Sequence, residues 1–161
     1  MEQTPDVLCR AIMSEPPAVL KDSDPLSFAL RSLVRCRMPA LPVVDADGHY
    51  VGMLPRSRLI ALAMPRVLSQ EHGKFSLSDL LEFDFIHDSL ADLQARFDAA
   101  ASNPVMQHLG TGTPVLTPDT PLTNTMLFLH RERNVLPVVE DGKLVGIVTV
   151  WDVLARIGRV V

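Results

Sequence analysis

The chain has 161 residues, a formal net charge of −4, 47% hydrophobic residues and only 5% aromatic ones, enough for one compact domain or two half-sized units sharing an aliphatic core. Its 15 lysines and arginines are scattered, not gathered into a stripe. That excludes a nucleic-acid partner from the expectation, because phosphate-backbone binding depends on dense positive charge.

The N-terminal stretch MEQTPDVLCR carries acid and proline where a signal peptide carries basic charge and a long apolar run. Cys9 and Cys36 have no CxxC-type spacing, so two free thiols in a reducing cytoplasm are expected. No stretch approaches the ~20 apolar residues of a membrane span, so no membrane partner is expected.

Thr4-Pro5 opens a short helix, and an extended run, PAVLKDSDPL, follows. Asp24 then stands as an N-cap before Pro25, whose missing N–H costs nothing in a first helical turn. Leu26, Ala29, Leu30, Leu33 and Val34 recur at helical spacing. LPVV (41–44) and VGML (51–54) read as strands joined across Asp47-Gly48, a hairpin signal, and PRSR (55–58) leads into a second helix. Residues 66 to 103 form a middle segment. SQEHGKFSLSDLLEF reads there as a polar loop and short helix, and Leu90, Leu93 and Phe97 mark another helix with Asp88 as its cap.

The pattern then starts again. Asn103-Pro104 opens a short helix, LGTGTPV (109–115) follows, and Thr120-Pro121 caps a helix with Leu122, Met126 and Leu129 on one face. VLPVVEDGKLVGIVTVWDVL (135–154) repeats ALPVVDADGHYVGMLPRSRL (40–59), with a hairpin across Asp141-Gly142. The repeats diverge at one corner: Thr149 and Asp152 in the second stand where the first has Pro55 and Arg58, and Val150 stands where the first has Arg56. T-x-x-D before an apolar helix is a capping-box pattern. The chain divides into units at 1–65 and 104–161, with 66–103 between them. No nucleophile elbow, Walker loop or metal-ligand histidine spacing is present, so no enzyme is expected.

The paired hPVV, DG hairpin, hVGhhT and the Asp three residues after the Thr resemble a tandem of cystathionine-β-synthase-type (CBS) domains, the Bateman module. That resemblance implies an α/β (α+β) fold of two βαββα units packed as a pseudo-twofold pair. It also implies a regulatory sensor whose cleft takes an adenosine-containing ligand: AMP, ADP, ATP or S-adenosylmethionine. On it, Thr149 and Asp152 resemble a ribose clamp, Asp152 accepting from a cis-diol. Thr113, Pro114 and Val115 line the base, since the glycines before them allow close backbone approach, and Arg56 meets phosphate. A ligand-free dimerisation or docking module is the other reading. A mean hydropathy of +0.20 favours self-association under both, so a homodimer and a regulated protein partner are expected.

Overall fold

In a computed structural model describing residues 6–69, 78, 87–132 and 135–159, the two repeats form matching hairpin-and-helix units. The first comprises β1 (Leu20–Lys21), α1 (Leu26–Cys36), β2 (Ala40–Val44), β3 (Tyr50–Pro55) and α2 (Arg56–Ala63). A short α3 (Arg66–Ser69) and α4 (Leu90–Asp98) follow, and then α5 (Leu122–Glu132), β4 (Leu136–Glu140), β5 (Lys143–Val148) and α6 (Val150–Ile157). β1 runs parallel to β2, which pairs antiparallel with β3. In the second unit β4 pairs antiparallel with β5, and Leu116 bridges Val138 in parallel, the place β1 takes in the first.

Each hairpin contains a register shift at the same point of the repeat, between Val43 and Val44 and between Val138 and Val139. The extra residue increases local twist. Asp141 (φ 51°) and Gly142 (φ 78°) make the two-residue turn of the second hairpin. The first has a longer loop, in which the Asp45 carboxylate accepts from the amides of Asp47 and His49, each at 2.9 Å. The His49 amide is the main reason that the Asp45 pKa lies below the usual carboxylate range.

The helix openings differ from the sequence reading. Pro25, not Asp24, is the N-cap of α1, in extended conformation. This sets Asp24 one residue too early to reach the helix amides. Its Oδ2 accepts from the Lys21 amide instead (2.8 Å), and Thr120 Oγ1 likewise accepts from Thr117 (2.9 Å), so both side chains tie the turn before the helix. Val34 is exposed, and Ser32 is buried beside Leu26, Ala29 and Leu33. In α5 the buried face is Thr125 and Leu129, with Met126 turned outward. Ser89, not Asp88, caps α4 with a capping box to Asp92, while Asp88 pairs with Arg96 at 2.6 Å. The Thr4-Pro5 opening lies outside the described residues, as does nearly all of SQEHGKFSLSDLLEF.

The units exchange their leading segments. The 3-10 turn Cys9–Ala11, which precedes β1, lies on the second unit: the amides of Cys9 and Arg10 donate to Thr120 and Pro118 (2.8 and 2.9 Å). Cys9 and Ile12 share a buried cluster with Leu116, Leu129, Leu136, Val138, Val148 and Val153. Reciprocally, the 3-10 turn Val105–His108 lies on the first unit: the amides of Val105 and Met106 donate to Asp24 and Asp22 (2.8 and 3.0 Å). Val105 completes the cluster of Leu20, Leu26, Ala29, Leu33, Leu41, Val43, Leu54 and Leu59. A third cluster, Ala40, Met53, Val135 and Ile147, joins the two sheets. Among the described residues no helix is long and apolar enough to cross a membrane.

Candidate ligand-binding corners

Thr149 closes the second hairpin and caps α6 in extended conformation. Its hydroxyl accepts from the Asp152 amide (3.3 Å) and donates to Asp152 Oδ2 (2.9 Å), and that oxygen also accepts from the Thr149 amide (2.7 Å) and the Ser14 hydroxyl (3.3 Å). Three donors therefore converge on Oδ2. Oδ1 has no hydrogen bond among the described residues, which leaves one carboxylate oxygen with two lone-pair directions for an incoming pair of hydroxyls. The same box stands at Ser89 and Asp92, where Asp92 Oδ2 accepts from the Ser89 amide and hydroxyl (2.8 and 2.7 Å). T-x-x-D geometry by itself is thus a helix start. The Ser14 contact sets the second corner apart.

Ser14 reaches this corner because of the exchange of segments. Its amide and carbonyl both pair with Ile147 at 2.9 Å. A Cβ on Gly146 would lie 3.1 Å from the Ser14 carbonyl oxygen, closer than ordinary contact, so the Val-Gly of the repeat is where the other unit's linker lands. The first corner has the mirror arrangement: the Gly110 amide donates to Met53 (2.8 Å), and a Cβ on Gly52 would lie 3.0 Å from Leu109.

The sequence reading joined Thr113, Pro114 and Val115 to Thr149 and Asp152. The structure brings Ser14 to that pair, and it brings Leu109 and Gly110 to the first corner. Thr113 to Val115 carry the chain from there to Leu116, whose amide donates to Pro137 (2.9 Å), with Val115 exposed. Ser14 was missed although MSEPPAV aligns on LGTGTPV and puts Ser14 over Gly110; no local pattern tells which sheet a linker will join.

At the first corner Pro55 caps α2 without a side-chain hydrogen bond. Arg56 turns to a groove of about 730 Å³ between α1, α2 and α4, where Arg31 and Arg37 also stand. Arg58 acts instead on His108, whose pKa lies below the ordinary value, first through burial and then through the Arg58 charge. Both cysteines are free, and burial pushes the Cys9 thiol up to about 11, which suits a core residue and not a nucleophile.

A family profile described as CBS domain matches residues 9–64 and again 104–159. The chain belongs to the CBS-domain family. One curated relative, the chloroplastic CBS domain-containing protein CBSX2 of Arabidopsis thaliana, is 40% identical over 53 residues, a stretch that is 33% of this chain and 22% of the relative. The crystal structure of CBSX2 superposes on this CBS pair with a TM-score of 0.72 at 23% identity, over 97% of both chains. CBSX2 in complex with AMP superposes at 0.66 and 23% identity, over 95% of this chain and 97% of that one. The CBS domain pair of protein MJ0100, in complex with 5′-methylthioadenosine and S-adenosyl-L-methionine, superposes at 0.61 and 19% identity, over 96% and 98%. The CBS pair thus has the α+β Bateman fold.

Proposed function

We propose that this CBS pair is a non-catalytic regulatory sensor of the cytoplasm that binds an adenosine-containing ligand (AMP, ADP, ATP or S-adenosylmethionine) between its two units. Thr149 and Asp152 hold the ribose at the second corner, with Ser14 beside them. The observation that carries this reading is the division of labour within one carboxylate, Oδ2 being engaged by the fold and Oδ1 left without a donor among the described residues. Support comes from the adenosine compounds named in the CBSX2 and MJ0100 complexes, and the two free cysteines suit a reducing compartment. Thr113, Pro114 and Val115 remain the proposed lining for the base. The place of Arg56 in the α1–α2–α4 groove lends no support to its expected phosphate role.

Calorimetry on protein freed of carried-over nucleotide tests the proposal. At least one of the four compounds should bind, and Asp152→Ala should weaken it about tenfold or more, since a hydrogen bond to a charged acceptor contributes about 1.5–3 kcal/mol. As a helix-start residue alone Asp152 contributes on the order of 0.3–1 kcal/mol to folding, so the apo melting point should fall only slightly. Affinity retained within about twofold in Asp152→Ala would sink the ribose clamp. No binding by any of the four would leave the ligand-free dimerisation or docking module.

A further inference from the structure

The groove between α1, α2 and α4, of about 730 Å³, has no part in the adenosine reading. Leu33 and Leu59, both buried, and Leu93 and Phe97 of α4 give it an apolar lining. Val34 and Ile60, which also line it, are 57% and 60% exposed, so the fold itself does not cover them. Arg31, Arg37 and Arg56 border the groove, and Asp98 is the one acid among its described lining residues, in a chain whose net charge is −4. None of the three arginines makes an ion pair among the described residues.

The charges are sorted along the groove. The Arg56 amide donates to the Pro39 carbonyl (3.0 Å), so the start of α2 meets the end of α1, and Arg56 and Arg37 share one end. The Ser27 amide donates to the Ala101 carbonyl (2.9 Å), so the start of α1 meets the chain just after α4, where Asp98 stands. The 11 residues of α1 span about 16 Å between these ends. Arg37 is the C-cap of α1 and left-handed, with φ 54°, where glycine is the residue without a steric penalty. An arginine there costs backbone energy that glycine would avoid, and it brings a guanidinium to the basic end.

The repeat shows that this charge is not imposed by the fold. The same face of the second unit holds a groove of about 310 Å³ between α5 and α6. There Leu127 stands in the place of Arg31 and Val150 in that of Arg56, both exposed. One face is plainly apolar, and the other is apolar with a basic end, so the two suit different occupants. A second copy of the chain is a poor match for the basic one, since α5 and α6 carry His130, Arg131 and Arg156 in their last turns.

We propose that the first unit's groove docks an amphipathic helix of a partner protein, about three turns long, apolar along one face and acidic at the end that meets Arg37 and Arg56. The proposal does not rest on the adenosine reading of the cleft.

A phage-displayed library of random peptides, long enough for about four helical turns, is selected on the full chain, and enriched sequences are made as labelled synthetic peptides for fluorescence anisotropy. Selection should enrich net acidic peptides with apolar residues at i, i+3, i+4 and i+7, and their affinity should fall as salt rises. Ile60→Asp should weaken binding about tenfold or more, and Arg37→Gly about threefold. Arg37→Gly also separates docking from folding. It removes the guanidinium and relieves the left-handed backbone, so its melting temperature should equal or exceed that of the wild type while affinity falls. Light scattering should give Ile60→Asp the mass of the wild type. No enrichment, enrichment of neutral or basic peptides, or acidic peptides that bind Ile60→Asp as tightly as wild type overturns the proposal. Self-association lost in Ile60→Asp would assign the groove to a second copy and overturn it as well.

Discussion

Asp152 and His108 stand at related corners and face opposite electrostatic problems. Three donors meet one oxygen of Asp152 and settle the helix start, while the other oxygen accepts none among the described residues. His108 has a ring nitrogen without a hydrogen-bond partner among the described residues, and the Arg58 charge acts on the ring. Burial and that cation both disfavour the imidazolium, so the folded chain takes up a proton less readily than the unfolded one. The sign of the pH dependence follows: stability is fully present above the unfolded histidine pKa of about 6.5 and falls as pH drops from there through the lower folded value. In phosphate-free buffer, wild-type protein should lose melting temperature between about pH 7.5 and 5.5, and His108→Leu should lose less. Equal slopes in thermal scans of the two proteins would show that His108 does not contribute to the acid sensitivity.

At the scale of elements, the strands, the hairpin turns and the second corner's cap were legible in the sequence, because alternation, Asp-Gly and T-x-x-D are local signals. The α4 cap was misplaced by one residue because Asp88 and Ser89 are both good caps, and only the Arg96 contact with Asp88 separates their roles. The exchange of leading segments was not legible at all. Cys9 and Ile12 are apolar in the sequence, but nothing local says that they belong to the second unit's interior, and the approach of Ser14 to Asp152 was hidden with that information. Ile12 is 6% exposed within the second cluster, so Ile12→Ala should cost about 2–5 kcal/mol. Hydrogen exchange should locate the loss in β4, β5 and α6, far from Ile12 in sequence. Faster exchange confined to α1 and β2 instead would mean that the first segment supports its own unit.

Across the whole molecule, the two helical faces are unequally covered. Leu93 and Phe97 of α4 border the groove of the first unit, while the second exposes Met126, Leu127, Val150, Trp151, Leu154 and Ile157 along α5 and α6. Trp151 is 77% exposed. An apolar surface of this kind marks an interface, and the occupant we propose is a second copy of the chain. Light scattering at micromolar concentration should give about twice the 17.7 kDa chain mass, and Leu154→Asp should return it to one. A monomeric wild type removes the homodimer. Reciprocal exchange of the leading segments also has a consequence for synthesis. The ribosome releases Cys9 and Ile12 long before the sheet they serve exists, and it releases Val105 long after β1 to β3 are complete. A growing chain must therefore hold the first sheet with its interior unfinished, and neither half can mature ahead of the other. N-terminal-first folding, the usual habit of chains built from independent domains, gives way here to a single closure once the second unit has emerged.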